Sequence, residues 1–143
     1  MKKTTVFVFA IFLCFCIFSG EIRTASADEQ HPIDAEVEKR MEADYSTAGM
    51  LNALQYGYDE WDKLLNANYN ALMKKLSKKQ QEKLRASQRE WIKFRDLEFE
   101  FNRGFFSDDR GSLGRVSGMS FMRDFVKERA LTLGYYLAEF ESL

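Results

Sequence analysis

LRASQREWIKFRD, residues 84–96, sets amide and charged side chains where a helix should be apolar. At a helical period Leu84, Gln88, Trp91, Arg95 and Phe99 share one stripe, so Gln88 and Arg95 interrupt an otherwise apolar seam. A guanidinium on such a seam demands a partner, because breaking a buried pair costs ~3–5 kcal/mol. The spacing predicts that Arg129 points inward from a later helix, with Asp62, Asn66 and Asp96 as the nearest acceptors. Asn66, Gln88, Arg95, Asp96 and Arg129 are therefore expected to form a polar seam. Two readings of it stay open: a network that holds helix register, and a binding site.

The rest of the body carries helical periodicity without any strand pattern. Leu51, Leu54, Tyr58, Trp61, Leu65, Asn68 and Leu72 recur in steps of three and four, predicting a first long helix over 47–76. Ser77-Lys78-Lys79-Gln80 is a capping box, so a tight connection leads into a second helix over 78–103, with Gly104 as its stop. Met119, Met122, Val126, Arg129, Leu133, Tyr136 and Phe140 form the stripe of a third helix. The expected fold is all-α: an antiparallel three-helix bundle with the option of one short extra helix at its N-terminal side. Trp61, Trp91, Phe94, Phe125 and Tyr136 are assigned to the core.

Upstream of this body the composition changes twice. Lys2 and Lys3 precede an apolar run over 6–18, and Ala25-Ser26-Ala27 follows as a small-x-small cleavage signal, so residues 1–27 read as a secretory signal peptide. Cys14 and Cys16 lie inside the apolar run, behind Leu13 and Phe15, which are too bulky for a lipoprotein cleavage site. Cleavage would remove both cysteines, leaving stability to packing alone. The whole chain has 21 basic and 22 acidic residues; three of the former and one of the latter fall in 1–27, which leaves a net charge of −3. Residues 28–45 hold the only histidine, His31, the only proline, Pro32, and an excess of acids, and are expected to be a flexible acidic arm, largely disordered or loosely helical. The helical domain is placed at 46–143. Its near-neutral balance argues against a nucleic-acid partner, and nothing after the signal would engage a membrane.

Catalysis finds little to work with. No cysteine survives cleavage, the one histidine is in the arm, and no Glu-x-x-His pair offers a metal site, so no catalytic residue, cofactor or metal is expected. Asp59 with Asp62 and Glu98 with Glu100 are carboxylate pairs, but Glu98 and Glu100 stand roughly 200° apart on a helix. The connection over 105–114 is the expected contact with a partner. Phe105 and Phe106 are adjacent apolar groups beside Asp108 and Asp109, a pairing that suits a cationic cleft lined by aromatics. The same phenylalanines could instead close the end of the bundle.

The Gln88-Arg89-x-Trp91-Ile92-x-Phe94-Arg95-Asp96 run, with Leu65-Asn66-Ala67-Asn68-Tyr69, Gly111-Ser112 and Arg129, resembles the small helical domain of LprI-type lysozyme inhibitors over roughly 46–138. The resemblance implies a periplasmic or secreted bacterial protein that binds a lysozyme or another peptidoglycan hydrolase and is not an enzyme. Two other classes remain: an interaction or immunity module against a cell-wall hydrolase, and a weak hydrolase built on the carboxylates. Members of the family commonly carry cysteines at places that correspond to Ala53, Phe99 and Phe121 here. The resemblance thus implies that burial of Phe99 and Phe121 stands in for a staple worth ~2–4 kcal/mol.

Overall fold

A computed structural model describes residues 30–107 and 111–142, and the described residues form four helices and no strand. These are α1 (Pro32–Ala43), α2 (Thr47–Lys75), α3 (Lys78–Ser107) and α4 (Gly111–Ser142). The expected signal peptide, 1–27, lies outside the described residues. So do Asp108 and Asp109.

α1, the optional short helix of the expected fold, occupies most of the acidic arm, and it is docked on the bundle where a flexible segment was expected. His31 caps it through Nδ1, which accepts from the Ile33 amide at 3.2 Å, and Pro32 sets the first helical position. Glu36 bonds Arg40 one turn on at 2.9 Å. The helix has only one fully buried side chain, Val37, and that one residue is seated by a notch in α2. A Cβ on Gly57 would stand 2.6 Å from Val37 Cγ2, so the glycine is what lets the two helices approach. Asp34 then ties α1 to both long neighbours, accepting from Trp61 Nε1 at 3.1 Å on α2 and pairing with Lys127 Nζ at 2.6 Å on α4. The His31 ring lies 4.3 Å from the Trp61 ring, and the Arg40 guanidinium sits 3.8 Å above Tyr56. The extra N-terminal helix is therefore a docked fourth member of the bundle.

α2 follows the predicted stripe. Ser46 caps it, its Oγ accepting from the Gly49 amide at 3.0 Å, and Asp44 accepts from the Ser46 amide at 2.9 Å. Those bonds to Ser46 hold the Asp44 carboxyl below the ordinary aspartate range. Leu54, Trp61, Leu65 and Leu72 are buried on one face, with Ala53 and Gly57 beside them. At the other end the Ser77 amide donates to Gln80 Oε1 at 3.1 Å, and the Gln80 amide donates to Ser77 Oγ at 3.4 Å. Gln81 adds bonds from Nε2 to the Met73 and Leu76 carbonyls, which closes the turn between α2 and α3.

One correction concerns the end of α3. Gly104 does not stop the helix, which continues to Ser107. A glycine inside a helix costs only ~0.5–1 kcal/mol, and Phe106 repays it by packing against α4, 3.2 Å from where a Gly118 Cβ would be. The expected loop over 105–114 thus shrinks: Phe105 and Phe106 complete the last turn of α3, and α4 begins at Gly111, whose φ of 59° only glycine adopts freely. In α4 the buried positions Gly114, Gly118, Val126, Ala130 and Leu133 are mostly small, and its backbone comes close to α3 at Gly118 and to α2 at Gly134. α2 and α4 run parallel and share the most extensive contact; α1 packs antiparallel on α2, and α3 leans chiefly on α4. The main core is Trp61, Leu65, Leu72, Phe99, Val126, Ala130 and Leu133, with a smaller cluster of Val37, Ala53 and Leu54 under α1.

Three aromatics leave the interior to which sequence assigned them. Phe94 and Tyr136 are exposed, and Phe121 lies at the surface, its ring 5.9 Å from Phe125. Phe99 is buried, 5.8 Å edge-on to the same Phe125 and 6.2 Å from Tyr58. Of the two phenylalanines expected to replace a staple, only Phe99 is thus a core residue.

Candidate functional site

The polar seam forms where α3 crosses α4. Arg129 Nε donates to Gln88 Oε1 at 3.0 Å and Nη2 donates to Ser87 Oγ at 3.3 Å. Gln88 is buried, so this is a charge-assisted bond made mostly out of water. Burial pushes the Arg129 guanidinium below its usual range, opposed by the field of Tyr136, yet an arginine stays charged at any physiological pH. Trp91 lies between two cations, with Arg95 5.5 Å and Arg129 5.8 Å from its ring. The indole stacks on Phe125 at 6.0 Å. Cation, ring and amide thus meet across the α3–α4 contact.

The remaining seam residues behave differently. Arg95 is largely covered but bonds its own neighbour, with Nε and Nη2 both donating to Asp96 Oδ1 at 2.9 and 2.7 Å. Its guanidinium also passes 5.9 Å from the Phe99 ring and opposes the burial that raises the Tyr58 phenol. Asn66 faces outward and donates to the carbonyl and the carboxylate of Asp62 on its own helix. It therefore joins Gln88 in lining a cleft of about 530 Å³ between α2 and α3, with Tyr69, Arg85 and Ile92, but bonds no arginine. Gln88 and Arg129 are brought together; Arg95 and Asp96 pair locally; Asn66 stands apart.

The interhelical amide that sequence reasoning passed over is Asn68. It sits on the apolar stripe of α2, and its Nδ2 donates to the Ala130 carbonyl of α4 at 3.0 Å, in the space left by Gly134. A polar residue on a predicted apolar face was the visible signal. Asn102 is a second case, lying three residues beyond Phe99 on the same stripe of α3 and almost fully buried. The carboxylate pair of α2 is spoken for locally: Asp59 accepts from Gln55 and Asp62 from Asn66. Among the described residues no cluster of three or more His, Cys, Asp or Glu could hold a metal ion. Among them, too, no helix is long and apolar enough to cross a membrane.

The most distinctive surface is on α3. Phe94, Leu97, Phe101 and Phe105 are 53, 65, 68 and 48% exposed and recur in steps of three and four, so one face of the helix offers a continuous apolar stripe to solvent. Phe101 stacks on Phe105 at 5.7 Å, and Phe105 meets Phe106 edge-on at 5.0 Å. Phe106 turns inward against Gly118 while Phe105 stays at the surface. Glu90 and Glu98 border this face by helical spacing, and Glu90 is paired with Lys93 at 2.9 Å. Single exposed apolar residues need no explanation, whereas a contiguous apolar row of this kind is a candidate contact surface.

Comparison with known proteins gives two matches. The family model described as Lysozyme inhibitor LprI matches residues 38–133. A crystal structure of an uncharacterized protein from Burkholderia thailandensis superposes with a TM-score of 0.73 at 23% identity, over 78% of this chain and 56% of that one. The chain thus spans little more than half the length of that protein, and the likeness speaks for the fold alone. No curated protein matches the chain.

Proposed function

This chain belongs to the lysozyme inhibitor LprI family, and from that premise we propose that it is an exported binding protein that inhibits a lysozyme or another peptidoglycan hydrolase. In this reading residues 1–27 direct export and are removed, and the helical body acts by occupying the hydrolase rather than by chemistry. The observation that supports it is the solvent-facing row Phe94, Leu97, Phe101 and Phe105 on α3. Interface energy concentrates in a few aromatic anchors surrounded by a polar rim, and α3 presents anchors of that kind along about three turns. Phe105, with Phe106 behind it, would be the leading anchor; Asp108 and Asp109, next in the chain, would add charge facing the cationic surface of a lysozyme.

The test is inhibition by the purified protein, titrated against several lysozymes at two salt concentrations. Replacing Leu97, Phe101 and Phe105 by alanine should leave the helical melt nearly unchanged, since all three are exposed. Inhibition should weaken by about 30-fold or more, the equivalent of one ~2 kcal/mol hot spot. Alanine at Asp108 and Asp109 should mainly slow association, and less so at high salt. Full inhibition by the folded triple variant would exclude the α3 face. No inhibition by the unaltered protein would refute the reading itself.

A further inference from the structure

Asn102 is 4% exposed, and its Nδ2 has no hydrogen-bond partner. Its Oδ1 lies against α4, 3.1 Å from where a Cβ on Gly118 would stand. A buried amide donor left unsatisfied costs ~1–3 kcal/mol, and native proteins rarely keep one without a use. The same residue lines a cleft of about 480 Å³ between the last turns of α3, the first turns of α4 and the start of α2. Leu51, Phe106, Met119 and Met122 make its other walls apolar, and Arg103 and Arg115, both exposed, stand beside them. The size falls in the usual range of small-molecule sites, which join apolar walls to a few placed polar groups. The two methionines can reshape around a guest.

Each group selects one property of a ligand. The orphan N–H selects an acceptor oxygen, the two guanidinium groups select negative charge, and the four apolar side chains select hydrocarbon. We propose that this cleft is a binding site for a small apolar carboxylate, an aliphatic acyl acid whose chain lies among Leu51, Phe106, Met119 and Met122 and whose carboxylate accepts from Asn102. Arg103 and Arg115 supply the countercharge. The site differs in kind from the exposed row of α3: it takes a small guest in a recess, and it stands whether or not the protein inhibits a hydrolase.

The experiment is a titration of the isotope-labelled protein with decanoate, decan-1-ol and decyltrimethylammonium, followed by amide and methyl NMR. Decanoate should shift the Asn102 side-chain amide and the Met119 and Met122 methyl signals. It should bind at least tenfold tighter than the alcohol, and the ammonium should bind weakest. Asn102→Leu should raise Tm without ligand, because it removes the unpaired donor, and should weaken decanoate and decan-1-ol alike, since both offer the acceptor oxygen that the N–H selects. Arg115→Gln, at an exposed site, should weaken decanoate severalfold and leave the alcohol unchanged. Equal affinity for acid and alcohol, or undiminished decanoate binding by Asn102→Leu, would overturn the proposal. So would a failure of all three probes while a bound hydrolase shifts the Asn102 amide, which would make the cleft a seat for a partner's side chain.

Discussion

Asp34→Ala would test whether α1 is an integral part of this bundle. The carboxylate serves two helices at once: Oδ1 accepts from Trp61 Nε1 at 3.1 Å and Oδ2 pairs with Lys127 Nζ at 2.6 Å. Trp61 is fully buried, so removing the acceptor strands an indole N–H away from water, at a cost of ~1–3 kcal/mol. The ion pair is partly screened, because the Lys127 side chain is about one-third exposed, and adds no more than ~1 kcal/mol. Together the loss should be ~2–3 kcal/mol, a large share of the stability of a domain of this size. Tm should fall by ~4–8 °C for each kcal/mol. Urea melts give the total, and hydrogen exchange locates it, since amides of α1 should lose protection before those of α2 and α4. Asp34→Asn divides the two contributions: its amide oxygen can still accept from Trp61 while the charge facing Lys127 is gone, so it should lose ~1 kcal/mol or less. A loss under ~0.5 kcal/mol for Asp34→Ala, with protection of α1 unchanged, would refute the idea that this carboxylate docks the helix.

Two further pairs of substitutions probe the core and the seam. Phe99→Ala should cost ~3–5 kcal/mol, the range for deleting a buried aromatic, whereas Phe121→Ala at the surface should cost ~1 kcal/mol or less; denaturant melts of both, run side by side, check the assignment. Gln88→Ala should cost ~1–3 kcal/mol, because it strips a half-buried guanidinium of its acceptor. A double-mutant cycle with Arg129→Ala should show coupling above ~0.5 kcal/mol, and none if Ser87 and the Trp91 ring hold the guanidinium unaided.

Sequence by itself determined that the chain is helical, where α2 begins and ends, which face of α2 is buried, and how the turn at Ser77 and Gln80 is closed. Those features are local: a period of 3.6 and a capping box act through residues three and four apart. It also singled out Gln88 and Arg129, because a polar group on an apolar stripe is visible without coordinates. Three outcomes needed the tertiary structure. α1 docks through Ile33, Val37 and Met41, a short stripe that the sequence does carry, but its seat is a glycine notch 20 residues beyond Val37 and a carboxylate shared by two helices, and neither of those can be read from residues 32–43. Gly104 is a plausible stop until Phe106 finds Gly118, and the helix runs four residues further than its expected end at 103. Above all, α3 carries two apolar faces, one through Leu84, Trp91 and Phe99 and one through Phe94, Leu97, Phe101 and Phe105. Periodicity draws both with equal strength. Only the placement of α4, with its row of small residues and Arg129 reaching Gln88, decides that the first is covered and the second meets solvent, because burial is a property of what lies opposite a face and not of the face itself.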